Sequence, residues 1–167
     1  MKRIEPGLPE GAPIEIAMVV SRYNEWITDR LREGAIETLD RLAGERARVT
    51  EIPAPGTFEL PVLAAAAAET HRFHAIICLG CVIRGETEHD RHIARAVAHA
   101  LADLSTGSDA RRPLPVAFGI ITADNAEQAE ARAGGPKGNK GAEAMEAALL
   151  SLGIIHRLRF DDAERTR

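Results

Sequence analysis

Thr87 and His89 place a hydroxyl and an imidazole on one short turn, Gly80-Cys81-Val82-Ile83-Arg84-Gly85-Glu86-Thr87-Glu88-His89. The turn comes after an apolar run, Ala75-Ile76-Ile77-Cys78-Leu79, that reads as a buried strand. It precedes Asp90 to Asp103, where Ile93, Ala96, Val97, Ala100 and Leu101 recur at the spacing of a helix with one buried face. The chain is therefore expected to break at Gly80, cross a loop, and enter a helix near Glu86 to Glu88. The first N–H groups of a helix lack intrahelical partners and sit at the positive end of its dipole, so such a turn can hold an anion such as phosphate. Thr87 adds a donor, and an imidazole moves protons near neutral pH. Ordinary strand–loop–helix connectors carry the same residue types, so the reading needs support from the rest of the chain.

The turns after the other strands supply that support. Ile14 to Val20 is an apolar strand ending at Ser21-Arg22-Tyr23-Asn24. An amphipathic helix comes next, with Ile27, Leu31, Ala35, Leu39 and Leu42 on one face and Gly44 as its stop. Ala47 to Ile52 is a weaker, half-polar strand. It leads into Pro53-Ala54-Pro55-Gly56-Thr57-Phe58-Glu59-Leu60-Pro61, which opens a helix whose body, Val62 to Glu69, is mostly alanine. Pro61 suits a first helical turn, where a missing N–H costs nothing. Small alanines suit close approach to a sheet or a neighbouring subunit. Leu104 to Leu114 reads as a polar loop and Pro115 to Ile121 as a fourth strand. Helices over about 125–133 and 139–152 flank a connector, Gly134 to Gly138. Residues 1–12 read as a flexible arm, 13–158 as one domain, and 159–167 as a charged tail that frays.

Strands alternating with helices imply a central parallel four-stranded sheet between two helical layers, a three-layer α/β/α fold. Ligands of such sheets bind outside the carboxyl ends of the strands. Tyr23 and Asn24, Phe58 and Glu59, and Cys81 to His89 all fall there. Exposed Tyr23 and Phe58 offer faces for a flat ring. Asn24 and Glu59 offer polar groups to its edge.

Composition narrows the alternatives. The chain has 167 residues, 45% hydrophobic and 28% charged, as expected of a soluble globular domain. Its net charge of −4 argues against a general nucleic-acid binder. No segment approaches the ~18 apolar residues of a membrane span, and Met1 to Gly7 lacks the apolar core of a secretory signal. The cytoplasm is the expected compartment. Cys78-Leu79-Gly80-Cys81 has redox spacing, but Cys78 lies inside the apolar strand, and buried small hydrophobes are the better reading. His89 and His92 have the spacing of a metal pair, with no further ligand attached to it, so no metal is expected. Gly134 to Gly141 lacks the ending of a phosphate loop and comes after a helix; Arg132 and Lys140 flanking it could still meet a phosphate. Phe118 is most simply core.

These residues resemble the lumazine synthase family. The similar segments are SRYNEWIT (21–28), APGTFELP (54–61), LGCVIRGETEH (79–89), PVAFGIITADNAEQAEARAG (115–134) and GNKGAEA (138–144), in order across about residues 14–152. The resemblance implies a flavodoxin-like fold and a cofactor-free enzyme of riboflavin biosynthesis. That enzyme condenses 5-amino-6-(ribitylamino)uracil with 3,4-dihydroxy-2-butanone 4-phosphate to give 6,7-dimethyl-8-ribityllumazine. By motif position it assigns Tyr23 to stack on the pyrimidine, where the family usually has Phe or Trp. Asn24, Phe58 and Glu59, with backbone groups of Thr57, Cys81, Val82 and Ile83, are assigned to the ring edge and ribityl chain. Glu86 (through its N–H), Thr87 and Arg132 are assigned to the phosphate, and His89 to proton transfer. Phe118, Arg132 and Lys140 are expected from a neighbouring subunit of a pentamer, or of an assembly of pentamers, with riboflavin synthase a further partner. After His89 the family usually shows an aromatic, then Asp and Tyr. Here the run is Asp90-Arg91-His92, at positions implied to face the pentamer axis. A catalytically silent flavin or lumazine binder and a shell protein are the other classes to weigh.

Overall fold

Ile14, Ile16, Met18 and Val20 belong to one buried cluster, and Ala17 and Val19, from the same strand, belong to another. A strand buried on both faces needs a layer above it and a layer below it. The computed structural model describes residues 3–9, 13–107 and 113–165 and contains both layers. Strands β1 (Ile14–Ser21), β2 (Ala47–Ala54), β3 (Ala75–Ile83) and β4 (Val116–Ala123) form one parallel sheet in the order β2-β1-β3-β4. Helices α1 (Glu25–Leu42) and α5 (Lys140–Arg165) cover one face through Ile27, Leu31, Leu39, Met145 and Leu149. Helices α2 (Leu60–Glu69) and α3 (His89–Thr106) cover the other through Leu60, Ala64, Ala68, Val97 and Leu101. This is the expected flavodoxin-like, three-layer α/β/α fold. The half-polar β2 is an edge strand, and α1 stops just before Gly44, which takes a left-handed φ of 53°.

Helices α1 and α5 meet closely, and the sequence prepares the contact. A Cβ added at Gly141 would run into the carbonyl oxygen of Leu31, and one at Gly34 would meet the side chain of Asn139. Asn139 joins the two helices: Nδ2 donates to the Arg30 carbonyl (2.8 Å), while Oδ1 accepts from the N–H groups of Gly141 (2.8 Å) and Ala142 (3.2 Å). It thus caps α5 and ties it to α1.

Five details differ from the sequence reading. α3 opens at His89, slightly later than expected, because Gly85 to Glu88 stay in irregular, non-helical backbone. It also runs to Thr106, past the expected start of the polar loop at Leu104, and the middle of that loop lies outside the described residues. The connector after α4 (Ala126–Ala131) is a small antiparallel ribbon, β5 (Ala133–Gly135) and β6 (Gly138–Asn139). Gly134 (φ 96°) and Gly138 (φ 81°) supply the left-handed backbone it requires. Residues 3–9 carry no helix or strand, yet Leu8 tucks against the core, and a Cβ on Gly153 of α5 would come within 2.9 Å of the Gly7 carbonyl. Finally, α5 runs on through most of the charged tail, to Arg165.

Candidate active site

The sheet order makes β1 and β3 the point where connections diverge, α1 to one face and α3 to the other. Ligands of doubly wound sheets bind at such a point, beyond the carboxyl ends of the strands. A cavity of about 830 Å³ opens there. Tyr23 lines it from the β1–α1 turn, Gly56 to Glu59 from the β2–α2 turn, and Cys81, Val82, Ile83, Gly85 and Thr87 from the end of β3 and its loop. His89, Asp90, His92, Ile93 and Ala96 line it from α3. Tyr23 is 70% exposed and Phe58 59%, so the two aromatic faces expected for stacking are open.

Each wall has a local cause. In the β1–α1 turn, Asn24 adopts a left-handed φ of 59° and caps α1 through its carbonyl. Its Nδ2 donates to the Cys81 carbonyl (3.0 Å), which pins the turn to the end of β3. Thr28 Oγ1 donates to the Ser21 carbonyl (2.8 Å), and Ser21 Oγ accepts from the Tyr23 N–H (3.2 Å), which fixes the backbone that carries Tyr23. Asn24 does not itself line the cavity. The β2–α2 turn is a 3₁₀ turn, Thr57–Glu59, seated on β3. A Cβ at Gly80 would come within 2.9 Å of Thr57 Oγ1, so glycine there lets the turn sit down. Thr57 is only 6% exposed, and Oγ1 has no hydrogen-bond partner among the described residues.

The turn expected to hold an anion is better defined than spacing could show. Arg84 N–H donates to the Ala123 carbonyl (2.8 Å), and Arg91 N–H to that of Glu88 (3.1 Å). Between them, the N–H groups of Gly85 through Asp90 donate to no group among the described residues. They sit at the N-terminus of an 18-residue helix, where partial positive charge gathers. The Glu88 carboxylate is drawn to Arg91 Nη1 (3.1 Å). Glu86 is exposed and contributes no side chain to the cavity lining.

The remaining expected residues lie elsewhere in the same chain. Phe118 is 45% exposed on β4, not core, because β4 is an edge strand whose Phe118 faces outward. With Lys140 it lines a separate cavity of about 370 Å³ between β4 and α5. Lys140 Nζ pairs with Glu143, and its N–H donates to the Arg132 carbonyl (2.9 Å). Arg132 Nη1 donates to the Gln128 carbonyl (2.9 Å), and its side chain lines neither cavity. Of the expected residues, Tyr23, Thr57 to Glu59, Cys81 to Ile83, Thr87 and His89 line one cavity and Phe118 and Lys140 the other, while Asn24, Glu86 and Arg132 line neither. His92 and Asp90, at positions implied to face an assembly axis, line the larger cavity in the single chain. The signal for His92 was its place three residues after His89, on one helical face.

Neither cysteine is a poised thiol. Both are free and buried, and desolvation pushes Cys78 up to about 12 and Cys81 up to about 11. Among the described residues no three His, Cys, Asp or Glu side chains converge as metal ligands. No helix there is long and apolar enough to cross a membrane.

A parallel sheet in this order, with an aromatic-walled cavity and an open N–H turn at its carboxyl edge, defines a flavodoxin-like α/β protein with a candidate small-molecule site. Residues 13–155 match the model of the 6,7-dimethyl-8-ribityllumazine synthase family. The chain belongs to that family, which is one of transferases in riboflavin biosynthesis.

Proposed function

We propose that this protein condenses 5-amino-6-(D-ribitylamino)uracil with 3,4-dihydroxy-2-butanone 4-phosphate to give 6,7-dimethyl-8-ribityllumazine, water and phosphate. The observation that carries the reading is the run of unpaired N–H groups from Gly85 to Asp90, which opens beside the aromatic faces of Tyr23 and Phe58 in one cavity. A flat, polar ring and a phosphate-bearing chain are the pair of reactants such a cavity suits.

The pyrimidine stacks against Tyr23, with Phe58 and Glu59 at its edge and the backbone of Thr57, Val82 and Ile83 along the ribityl chain. The phosphate sits on the N–H groups of Glu86 and Thr87 and on the Thr87 hydroxyl. The amine attacks the ketone and an imine forms with loss of water. His89 then takes the proton from the carbon next to the imine. That C–H pair becomes a C=C bond, and the C–O pair leaves with phosphate, whose dianion the turn stabilises. The enol gives up its hydroxyl proton and gains one at the terminal carbon. The ribityl nitrogen closes the ring on the new ketone with loss of a second water. No cofactor enters. Bringing the two substrates together supplies much of the acceleration.

Phe118, Arg132 and Lys140 complete the site from a neighbouring copy in a homo-oligomer. Their separation from the larger cavity within one chain supports this arrangement. Arg132 supplies a guanidinium opposite the anion turn, and Phe118 and Lys140 supply the outer wall. The deciding experiment mixes the two substrates with and without protein and tracks the absorbance of the lumazine. A rate equal to the uncatalysed one would leave a silent flavin binder or a shell protein.

A further inference from the structure

We infer that His92 is a second acid–base group of this cavity, serving the imine-forming step while His89 serves phosphate loss. The inference rests on the condensation proposed above. His89, His92, Ile93 and Ala96 all line the cavity, the i, i+3, i+4, i+7 stripe of one helical face. One turn separates the two imidazoles, which puts His92 ~4.5 Å further along the helix axis from the anion turn. Their Cβ atoms stand about 5–6 Å apart, as for any i, i+3 pair.

Neither imidazole is committed to the protein. Among the described residues, neither ring makes a hydrogen bond or an ion pair. His74 shows the contrast: its Nδ1 accepts the Glu15 N–H (2.9 Å), so one nitrogen is already used. The Thr57–Glu59 turn lines the same cavity and packs on α3. The titratable groups sharing the cavity with His92 are Tyr23, Glu59, Cys81, His89 and Asp90. Arg91, Arg95 and Asp124 line a separate cavity with Asp90. The neighbouring α2 carries no charge before its last residue, Glu69.

The order of these groups matches the order of atoms in the phosphate-bearing substrate. With its phosphate on the turn at Gly85 to Asp90, the carbon that loses phosphate and the one beside it that loses a proton lie nearest His89. The ketone carbon, two bonds from the phosphate-bearing carbon, lies toward the next turn of α3, where His92 stands. Imine formation moves two protons from nitrogen to oxygen. The nitrogen bonds to the ketone carbon, the carbonyl π pair moves to oxygen, and that oxygen gains one proton. The nitrogen pair then forms C=N as the C–O bond breaks, and the oxygen leaves as water with the second proton. An imidazole that takes each proton from nitrogen and hands it to oxygen ends where it began. His92 fills that role, and His89 keeps the later proton transfers.

The test compares wild type, His92→Asn, His92→Gln and His89→Asn in single-turnover condensation across pH 5.5–8.5, with pyrimidine-substrate affinity measured separately. Both His92 variants should slow condensation about 10²-fold, the low end for a lost acid–base group, without loss of pyrimidine affinity. One ionisation should vanish from the rate profile in each, and a different one in His89→Asn. A wild type that makes no product overturns this inference and the proposed reaction together. Wild-type turnover, with His92 profiles that superimpose on it, overturns the His92 assignment alone. A measurement on the unmodified protein stands beside these: diethyl pyrocarbonate should label His92, and bound product should shield it. Labelling unaffected by product contradicts a ring that faces the substrate.

Discussion

Asn24 Nδ2 donates to the carbonyl oxygen of Cys81 over 3.0 Å, and so fastens the turn that carries Tyr23 to the strand that ends in the open N–H turn. The same residue holds a left-handed φ of 59°. Asparagine tolerates that conformation better than most L-residues do. Two physical demands, a donor and a tolerant backbone, therefore meet at one position. Asn24→Ala loses both and should cost about 1.5–3 kcal/mol. Asn24→Gly relieves the backbone and loses only the bond, so it should unfold at higher urea than the alanine variant. Equal midpoints for the two would show that backbone strain contributes nothing.

His89 stands at the first position of α3, beside the open N–H groups, and lines the cavity. His89→Ala is expected to slow condensation about 10²-fold, with a residual rate from proximity, while pyrimidine binding stays intact. Measured separately, rate and affinity should part company. Parallel losses in both would mark His89 as structural.

Arg132 and Lys140 are joined through backbone, but neither lines the cavity that contains His89 in their own chain. Arg132→Ala should raise the KM of the phosphate-bearing substrate by one to two decades, since a charge-assisted contact is worth about 1.5–3 kcal/mol. Co-expressing it with His89→Ala then locates the site. Some boundaries in mixed oligomers would join an intact His89 to an intact Arg132, and activity should return to a sizeable fraction of wild type. Mixed oligomers no more active than the two single variants would place both residues in one chain's site.

Burial holds the thiols of Cys78 and Cys81 neutral to about 12 and about 11. Only thiolates react readily, so the native protein should resist Ellman's reagent at pH 8 and release two equivalents once denatured. The pH dependence has a definite sign. In the unfolded chain these thiols ionise near their ordinary value of 9.0, while the folded protein keeps them protonated. Their contribution to stability is full below pH 9 and is lost as pH rises toward 11–12. Urea midpoints measured from pH 9 to 11 should fall less steeply in Cys78→Ala than in wild type.

By itself the sequence determined what local pattern can determine. Apolar runs and helical spacing set four strands and their flanking helices, and alternation of the two set a parallel sheet. A parallel sheet in turn sends Tyr23, Phe58 and His89 to one edge, because every connection leaves from a carboxyl end. Other features depend on residues distant in the chain. Phe118 looks like core in an apolar strand, and only the sheet order makes β4 an edge that leaves it exposed. The bond between Asn24 and Cys81, like the seat of Gly141 on Leu31, needs two elements already docked. Arg132 and Lys140 come together through a glycine-permitted ribbon that no periodicity announces. The rotation of α3 about its axis, which turns His92 toward the cavity, is set by Val97 and Leu101 packing into the core. Periodicity names the face of a helix, but contact with the sheet decides what that face looks toward.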